Sequence, residues 1–432
     1  MMKTLFSCIT LFLAFSGQAA QIFNVRDFGA TGNGQTFDTV AIQKTLDTCG
    51  SSGGGTVEFP AGIYLSRPLV LRSKTTVLLD AGAKLLATTN QSDFMKVPGD
   101  WLKARSGSEF NPFISGNDLT DVTFTGSGTI DGSGYVWWGE AEKARQIRPG
   151  YTLPRPGLIG LENCQRVLMR DITLQNSPEY HFVPSECEDV VVSNVTVLAP
   201  AGAANTDAID PRGCENVLIT KCHISVGDDN VAISSGKRSP QRQFASENIM
   251  VTDCVFLNGH GMSIGSGTSG GVRNVTVKRC VFEGTQNGIR IKSQRGRGGL
   301  VQNIIFDDIS MTNVDPAITF TAYYTYNSAK DPVQKPLPEN DQMQPVTEET
   351  PIFRDIHVSN MTATCQNSAG MIIGLPESLI SDVTFKNVKI SAVTGLKIEN
   401  ATGIQLHGLQ ITTQQGDPFI LKNAQVEGLD GR

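Results

Sequence analysis

Three acidic residues stand where the chain could use them together for proton transfer. Asp207 ends the triplet Asn205-Thr206-Asp207, and Asp228 and Asp229 follow Gly227. The offset 228 − 207 = 21 approximates one winding of a repeating chain, so stacked windings would set Asp207 beside the pair. Neighbours on a regular strand point to opposite faces, and Gly227 supplies a site for the bend that would turn both acids outward. Clustered like charges raise at least one carboxyl pKa, which leaves a proton donor and a base side by side. Hydrolysis of a glycosidic bond needs that combination: one acid protonates the leaving oxygen while a carboxylate activates water. Turn capping and calcium binding are the other uses of such a cluster, and spacing alone does not separate the three.

One winding further on, at 260 − 229 = 31, His260 stands between Gly259 and Gly261, which allow backbone or ligand to approach closely. After another winding, Arg290 and Lys292 alternate with Ile289 and Ile291. Residues i and i+2 of a strand share a face. The isoleucines are therefore expected in the core and the cations on an exposed strip, where Arg can grip a carboxylate with two hydrogen bonds. The strip would cover three coil steps, roughly 14 Å at the usual strand spacing. That suits a groove for a chain of anionic sugars rather than a pocket for a small metabolite.

The element that must bring these residues together is a repeat. A polar residue, then Val/Ile alternating with other residues, then a polar break recurs with lead residues Asp189, Asn216, Asn248, Asn274 and Asn303, separated by 27, 32, 26 and 29. Asp355 follows 52 later, as two units or as one unit with a large insertion, and Asp382 follows 27 after that. A unit of this size cannot bury its apolar face alone, whereas stacked units share a continuous core. Short period-2 strands without intervening helices predict an all-β fold, a single right-handed parallel β-helix over residues 21–432. Thr39 to Cys49 is the one helical stretch, expected to cap the N-terminal region 21–90. Segments 93–118, 135–157 and 325–350 break the rhythm and read as loops near the binding face.

Composition narrows the partners. The 432 residues carry a net charge of −6, so no global basic field recruits nucleic acid. Lys3, the apolar run Leu5 to Phe15 and the small residues up to Ala20 form an export leader over residues 1–20, too short to span a bilayer. A periplasmic or secreted monomer without membrane attachment is expected. Eight cysteines remain after Cys8. Cys164, Cys187, Cys214, Cys254 and Cys280 recur in the repeat as small core residues, with disulfide pairing left open and no CxxC zinc motif. The Asn-x-Ser/Thr sites at Asn194, Asn274, Asn360 and Asn400 are expected to serve coil turns rather than carry sugar.

Taken together, Asn205-Thr206-Asp207, Gly227-Asp228-Asp229, Gly259-His260-Gly261 and Arg290-Ile291-Lys292 resemble the four ordered signatures of the polygalacturonases, glycoside hydrolase family 28. Asn176-Ser177-Pro178-Glu179-Tyr180-His181 is similar to a further stretch of that family. The resemblance implies a right-handed β-helix that hydrolyses α-1,4-galacturonosyl linkages in homogalacturonan or oligogalacturonates with inversion, without metal or organic cofactor. It makes Asp228 the general acid, Asp207 and Asp229 the holders of the water, and His260 the support of the acid. Asn205, Arg290, Lys292 and Tyr324 become substrate contacts, with Tyr323 a rival for the last. Ala208 and Asn230 depart from the pattern, and the second puts a local fungal disulfide in doubt. Hydrolysis of a decorated pectin such as xylogalacturonan, a calcium-dependent pectate lyase and a carbohydrate-binding or adhesin solenoid are the alternatives. Endo or exo action depends on whether loops close one end of the groove.

Overall fold

The lead residues of the repeat are corners. Asp189, Asn216, Asn248, Asn274, Asn303, Asp355 and Asp382 all adopt φ between 54° and 58°, a left-handed conformation that Asn and Asp tolerate better than other residues with a side chain. Their amides stack along the molecule: Asn248 donates to Asn216 at 3.2 Å, Asn274 to Asn248 at 3.0 Å and Asn303 to Asn274 at 2.7 Å. A second column of left-handed corners runs through Asp171, Asn194, Lys221, Asp253, Arg279, Asp308, Asn360 and Asn387. The four glycosylation-type asparagines are all left-handed, as turn residues should be.

The computed structural model describes residues 21–148, 151–235, 244–324 and 341–429; the leader expected over residues 1–20 lies outside them. Between corners, the alternating strands lie parallel on one another and wind into a right-handed β-helix. Val190, Val217, Ile249, Val275, Ile304, Ile356, Val383 and Ile404 occupy one register through eight windings. All are buried. Branched residues stacked on like residues fill the narrow interior. Strand Leu300–Val314 pairs directly with strand Ile352–Cys365, so the spacing of 52 is one winding with a large insertion.

Six of the described cysteines form two inner columns. Cys164, Cys187 and Cys214 stack at one corner and Cys222, Cys254 and Cys280 at the other. In each column a backbone N–H donates to the next sulfur, at 3.4 Å for Cys164 to Cys187 and for Cys222 to Cys254. All eight described cysteines are free thiols, and burial pushes Cys365 up to about 11.

Helix α1, Thr39–Ser51, forms where its spacing predicts and buries Ile42, Thr45, Leu46 and Cys49 against the first windings, while Val40 is exposed. A second helix, α2 at Tyr135–Ile147, corrects the reading of 135–157 as loop. Only Trp137 and Ala141 of α2 are buried, too few to print a helical period. Trp137 is held by the rings of Phe94, Trp101 and Phe110 at centroid distances of 5.6, 4.8 and 6.0 Å, which ties α2 to the 93–118 segment. That segment is itself partly ordered, with three short 3-10 turns and the strand Ile114–Asn117. Of segment 325–350, residues 325–340 lie outside the described ones.

One sheet positions the site. Its strands are β1 (Phe182–Ser185), β2 (Val231–Ile233), β3 (Met262–Gly265), β4 (Ile289–Lys292) and β5 (Ile318–Thr321). Residues 209–212 bridge β1 to β2. Val231, Met262, Ile289 and Ile318 share an inward register; Ala232, Ser263, Arg290 and Thr319 share the outward one.

Candidate active site

The acids sit just before the strands of this sheet, on turns locked by the other letters of their motifs. Thr206 Oγ1 donates to Ala203 O at 2.7 Å and accepts from the Gly227 N–H at 2.9 Å, stitching the two acidic turns together. A Cβ at Gly227 would come within 2.2 Å of Ala203 O, so only glycine permits that closeness. The Ala208 N–H donates to Asp229 O at 2.9 Å, fixing Asp207 one winding before the pair. Gly259 and Gly261 have φ of +76° and +73°, and a Cβ on either would meet backbone oxygen at 2.5 or 2.1 Å. His260 is thereby pressed onto Asp228: its N–H donates to Asp228 O at 2.8 Å and its Nδ1 lies 2.9 Å from Asp228 Oδ1.

The bend at residues 227–228 is present, but it aims the two acids differently. Asp228 faces His260 and accepts from the Asn205 N–H at 3.2 Å. Asp229 is 2% exposed and faces along the sheet. It accepts from Ser263 Oγ at 3.0 Å and Lys292 Nζ at 2.8 Å, and pairs with Arg290 Nη2. The expectation of an exposed cation strip is therefore corrected. Arg290 and Lys292 are 9% and 5% exposed because their long side chains lie back over β3 and β2 to reach Asp229. Ile289 and Ile291 are fully buried, so the face assignment within β4 stands.

Protonation follows from this packing. Burial raises Asp207 well above the carboxylate range, and the charges of Asp228, Asp210 and Asp229 add to it. Burial acts on Asp228 in the same direction, but His260, Lys292 and Arg290 together hold it below its ordinary value. The packing thus favours the proton on Asp207 and negative charge on Asp228. Asp210, one turn beyond Asp207, is pushed up to about 7 by burial against the opposing pull of Arg212.

Tyr324 and Tyr323 separate cleanly. The Lys292 ammonium lies 5.0 Å from the centre of the Tyr324 ring, whereas Tyr323 OH donates to Asp341 Oδ2 at 2.6 Å. Asp341 is in turn paired with Arg295, which grips Glu377. Asn205, Asp207, Asp228, Asp229, His260, Arg290, Lys292 and Tyr324 are thus all brought to one face.

Several participants went unread. Ser263 bridges Asp229 and Arg290, accepting from Arg290 Nε at 2.9 Å; its position one register before Arg290 was the available signal. Arg155 is 2% exposed and donates to Asn205 Oδ1 at 3.1 Å, but it lies in an irregular stretch without a motif. His181 backs the Asp207 turn: its Nδ1–H donates to Asp207 O at 3.1 Å and its Nε2 accepts from the Ser177 N–H at 3.3 Å. Burial lowers it to about 4, so it is a neutral strut.

Among the described residues one cluster has the donor set of a cation site, Asp228, Asp229 and His260. A divalent ion there would face two buried positive groups already paired with Asp229, so the donor set does not fit a metal well.

The sequence profile of Glycosyl hydrolases family 28 matches residues 49–407. An endo-polygalacturonase of Pectobacterium carotovorum subsp. carotovorum is 33% identical over 379 residues, covering 84% of this chain and 87% of that protein. The solved polygalacturonase from Erwinia carotovora ssp. carotovora superposes with a TM-score of 0.71 at 26% identity, covering 95% and 98% of the two chains. A family 28 exopolygalacturonase of Yersinia enterocolitica superposes with a TM-score of 0.76 at 23% identity, covering 96% of this chain and 79% of that one, a likeness of fold alone.

Proposed function

Because the chain belongs to glycosyl hydrolase family 28, we propose that it cleaves α-1,4-galacturonosyl linkages of unesterified galacturonan or oligogalacturonates with inversion, outside the cytoplasm. Polygalacturonase activity on galacturonan is the coarse conclusion that the family and its relatives support. The observation that carries the rest is the convergence of Asp207, Asp228 and Asp229 with His260 on one side and Arg290 and Lys292 on the other. Two carboxylates supply acid and base. The paired cations answer the carboxylate of a uronate.

Asp228 is the general acid in this reading. A substrate carboxylate arriving at Arg290 and Lys292 cancels part of their field, so the Asp228 pKa rises when substrate binds. Asp229, held by both cations, stays in place for the water together with Asp207. The raised Asp207 favours a second assignment, in which Asp207 donates the proton.

Leaving groups decide between them. Asp228→Asn should lose roughly 10²–10⁴-fold in turnover of galacturonan, and most of that loss should vanish on an aryl galacturonide whose phenolate leaves unprotonated. Rescue of Asp207→Asn instead would make Asp207 the donor, and no rescue of either would remove general acid catalysis from the proposal. Reducing ends should accumulate without an unsaturated product and without sensitivity to chelator; the opposite pair of results would identify a lyase.

A further inference from the structure

The chain leaving β5 is laid against the turn that follows Lys292. Gln294 and Tyr323 form an antiparallel bridge, and the Tyr324 N–H donates to Ser293 O at 2.9 Å. Neighbouring side chains of an extended segment leave on opposite sides. The Tyr324 ring meets the Lys292 ammonium, and Tyr323 goes instead to Asp341.

Asp341 belongs to the insertion between β5 and strand Ile352–Cys365. Its Oδ2 accepts from Tyr323 OH at 2.6 Å and pairs with Arg295 Nη2 at 2.8 Å. Arg295 also grips Glu377 with two bonds: Nε donates to Oε1 at 2.6 Å and Nη2 to Oε2 at 2.7 Å. The Glu377 side chain is 2% exposed and sits in the turn where Leu375 and Ser378 bond each other, one winding further on. Arg295 holds both carboxyls below their ordinary values through these bonds. One guanidinium, on the turn just after Lys292, thus joins the insertion to the next winding. Other arginines, such as Arg166 with Asp121 and Arg273 with Glu247, hold one acid on a neighbouring winding. Isolated pairs of that kind contribute little, whereas a bidentate, networked arginine fixes geometry.

Resting on the galacturonan reading above, we propose that Tyr323, Asp341, Arg295 and Glu377 form a positioning clamp that holds the Tyr324 ring over Lys292. The insertion, through Asp341, thereby sets how a uronate carboxylate meets that ammonium. The four residues act through Tyr324. Its ring attracts the ammonium and closes one side of it to an arriving carboxylate. Without the Tyr323 anchor the segment keeps its backbone bonds but loses the tether on its twist. The ring then leaves Lys292 part of the time, and the contact loses its orientation.

A double-mutant cycle on the full chain tests this. Initial rates on trigalacturonate give kcat and KM for Asp341→Asn, Tyr323→Phe and Tyr324→Ala, and for each of the first two combined with the third. Asp341→Asn should lower kcat/KM roughly tenfold and Tyr323→Phe by less, with KM carrying the larger part because Tyr324 is a substrate contact. In the Tyr324→Ala background both should change kcat/KM by less than about twofold, since the ring they position is gone. Arg273→Met, which breaks an ion pair of 2.7 Å to Glu247, should leave kcat/KM unchanged in either background. Losses that add in the combined variants, or clamp variants with unchanged kcat/KM, would overturn the clamp. Tyr323→Phe removes only the hydroxyl, so it decides the matter if Asp341→Asn does not fold. Absence of galacturonan hydrolysis by the unmutated enzyme would instead overturn the functional reading on which the clamp rests.

Discussion

Replacing Lys292 by Met keeps the stem and removes the charge. Lys292 Nζ lies 2.8 Å from Asp229 Oδ2, and both groups are buried. In the variant Asp229 keeps Arg290 and Ser263, but both of these bond its Oδ1, so Oδ2 is left without its charged donor. Losing a hydrogen bond to a charged group costs about 1.5–3 kcal/mol. If turnover needs Asp229 in this orientation, kcat falls roughly 10–100-fold. The same charge helps to depress Asp228 and to restrain Asp207. Removing it raises both, the direction in which burial already pushes them. The base then ionises at higher pH and the acid keeps its proton to higher pH, so both limbs of the pH profile of kcat/KM move the same way. Initial rates on trigalacturonate, followed as reducing ends across pH, measure this. A profile scaled down with its limbs unmoved would refute the electrostatic role and leave Lys292 as a substrate contact only. Binding of charged galacturonides should also weaken more than binding of their methyl esters.

Asp210→Asn should remove a pH-dependent loss of stability. The folded pKa of Asp210, about 7, exceeds the ordinary unfolded value of about 3.9. The carboxyl therefore favours the fold at low pH, and that contribution is lost as pH rises from about 4 to about 7, by up to ~4 kcal/mol. Denaturant midpoints of variant and parent should diverge in the variant's favour across that window, and a constant gap would refute the buried-acid account. Gly259→Ala should cost far more than Gly284→Ala. Both glycines have positive φ, but a Cβ at 259 meets Asp228 O at 2.5 Å and one at 284 meets nothing within 4 Å. The second should lose only the left-handed penalty of about 1–2 kcal/mol, and the first should lose turnover as well as stability, read by unfolding and rate measurements. Equal losses would mean that the Asp228 turn yields to the added methyl.

The winding was legible because its causes are local. A left-handed corner selects Asn or Asp at 189, 216, 248, 274 and 303, and a narrow core selects branched residues at every second position. Those two preferences print the period directly. Helix α2 was hidden because Trp137 and Ala141 are its only buried residues, while apolar Tyr135 and Ile147 are exposed. The insertion after Asn303 left two topologies open, since spacing counts residues and not pairings; the direct pairing of Gln302 with Arg354 resolves it as one winding.

The order of the acids, the histidine and the two cations, and the face of β4 on which Arg290 and Lys292 start, follow from the chain alone, through strand alternation and winding length. Where those long side chains end does not. Folding laid both cations over two windings onto Asp229, sent Tyr323 to Asp341 while Tyr324 met Lys292, and set six of the eight described cysteines in two columns of free thiols. A side chain's root is set by backbone geometry a few residues long, whereas its tip settles where burial, charge and the neighbouring windings leave it the lowest free energy.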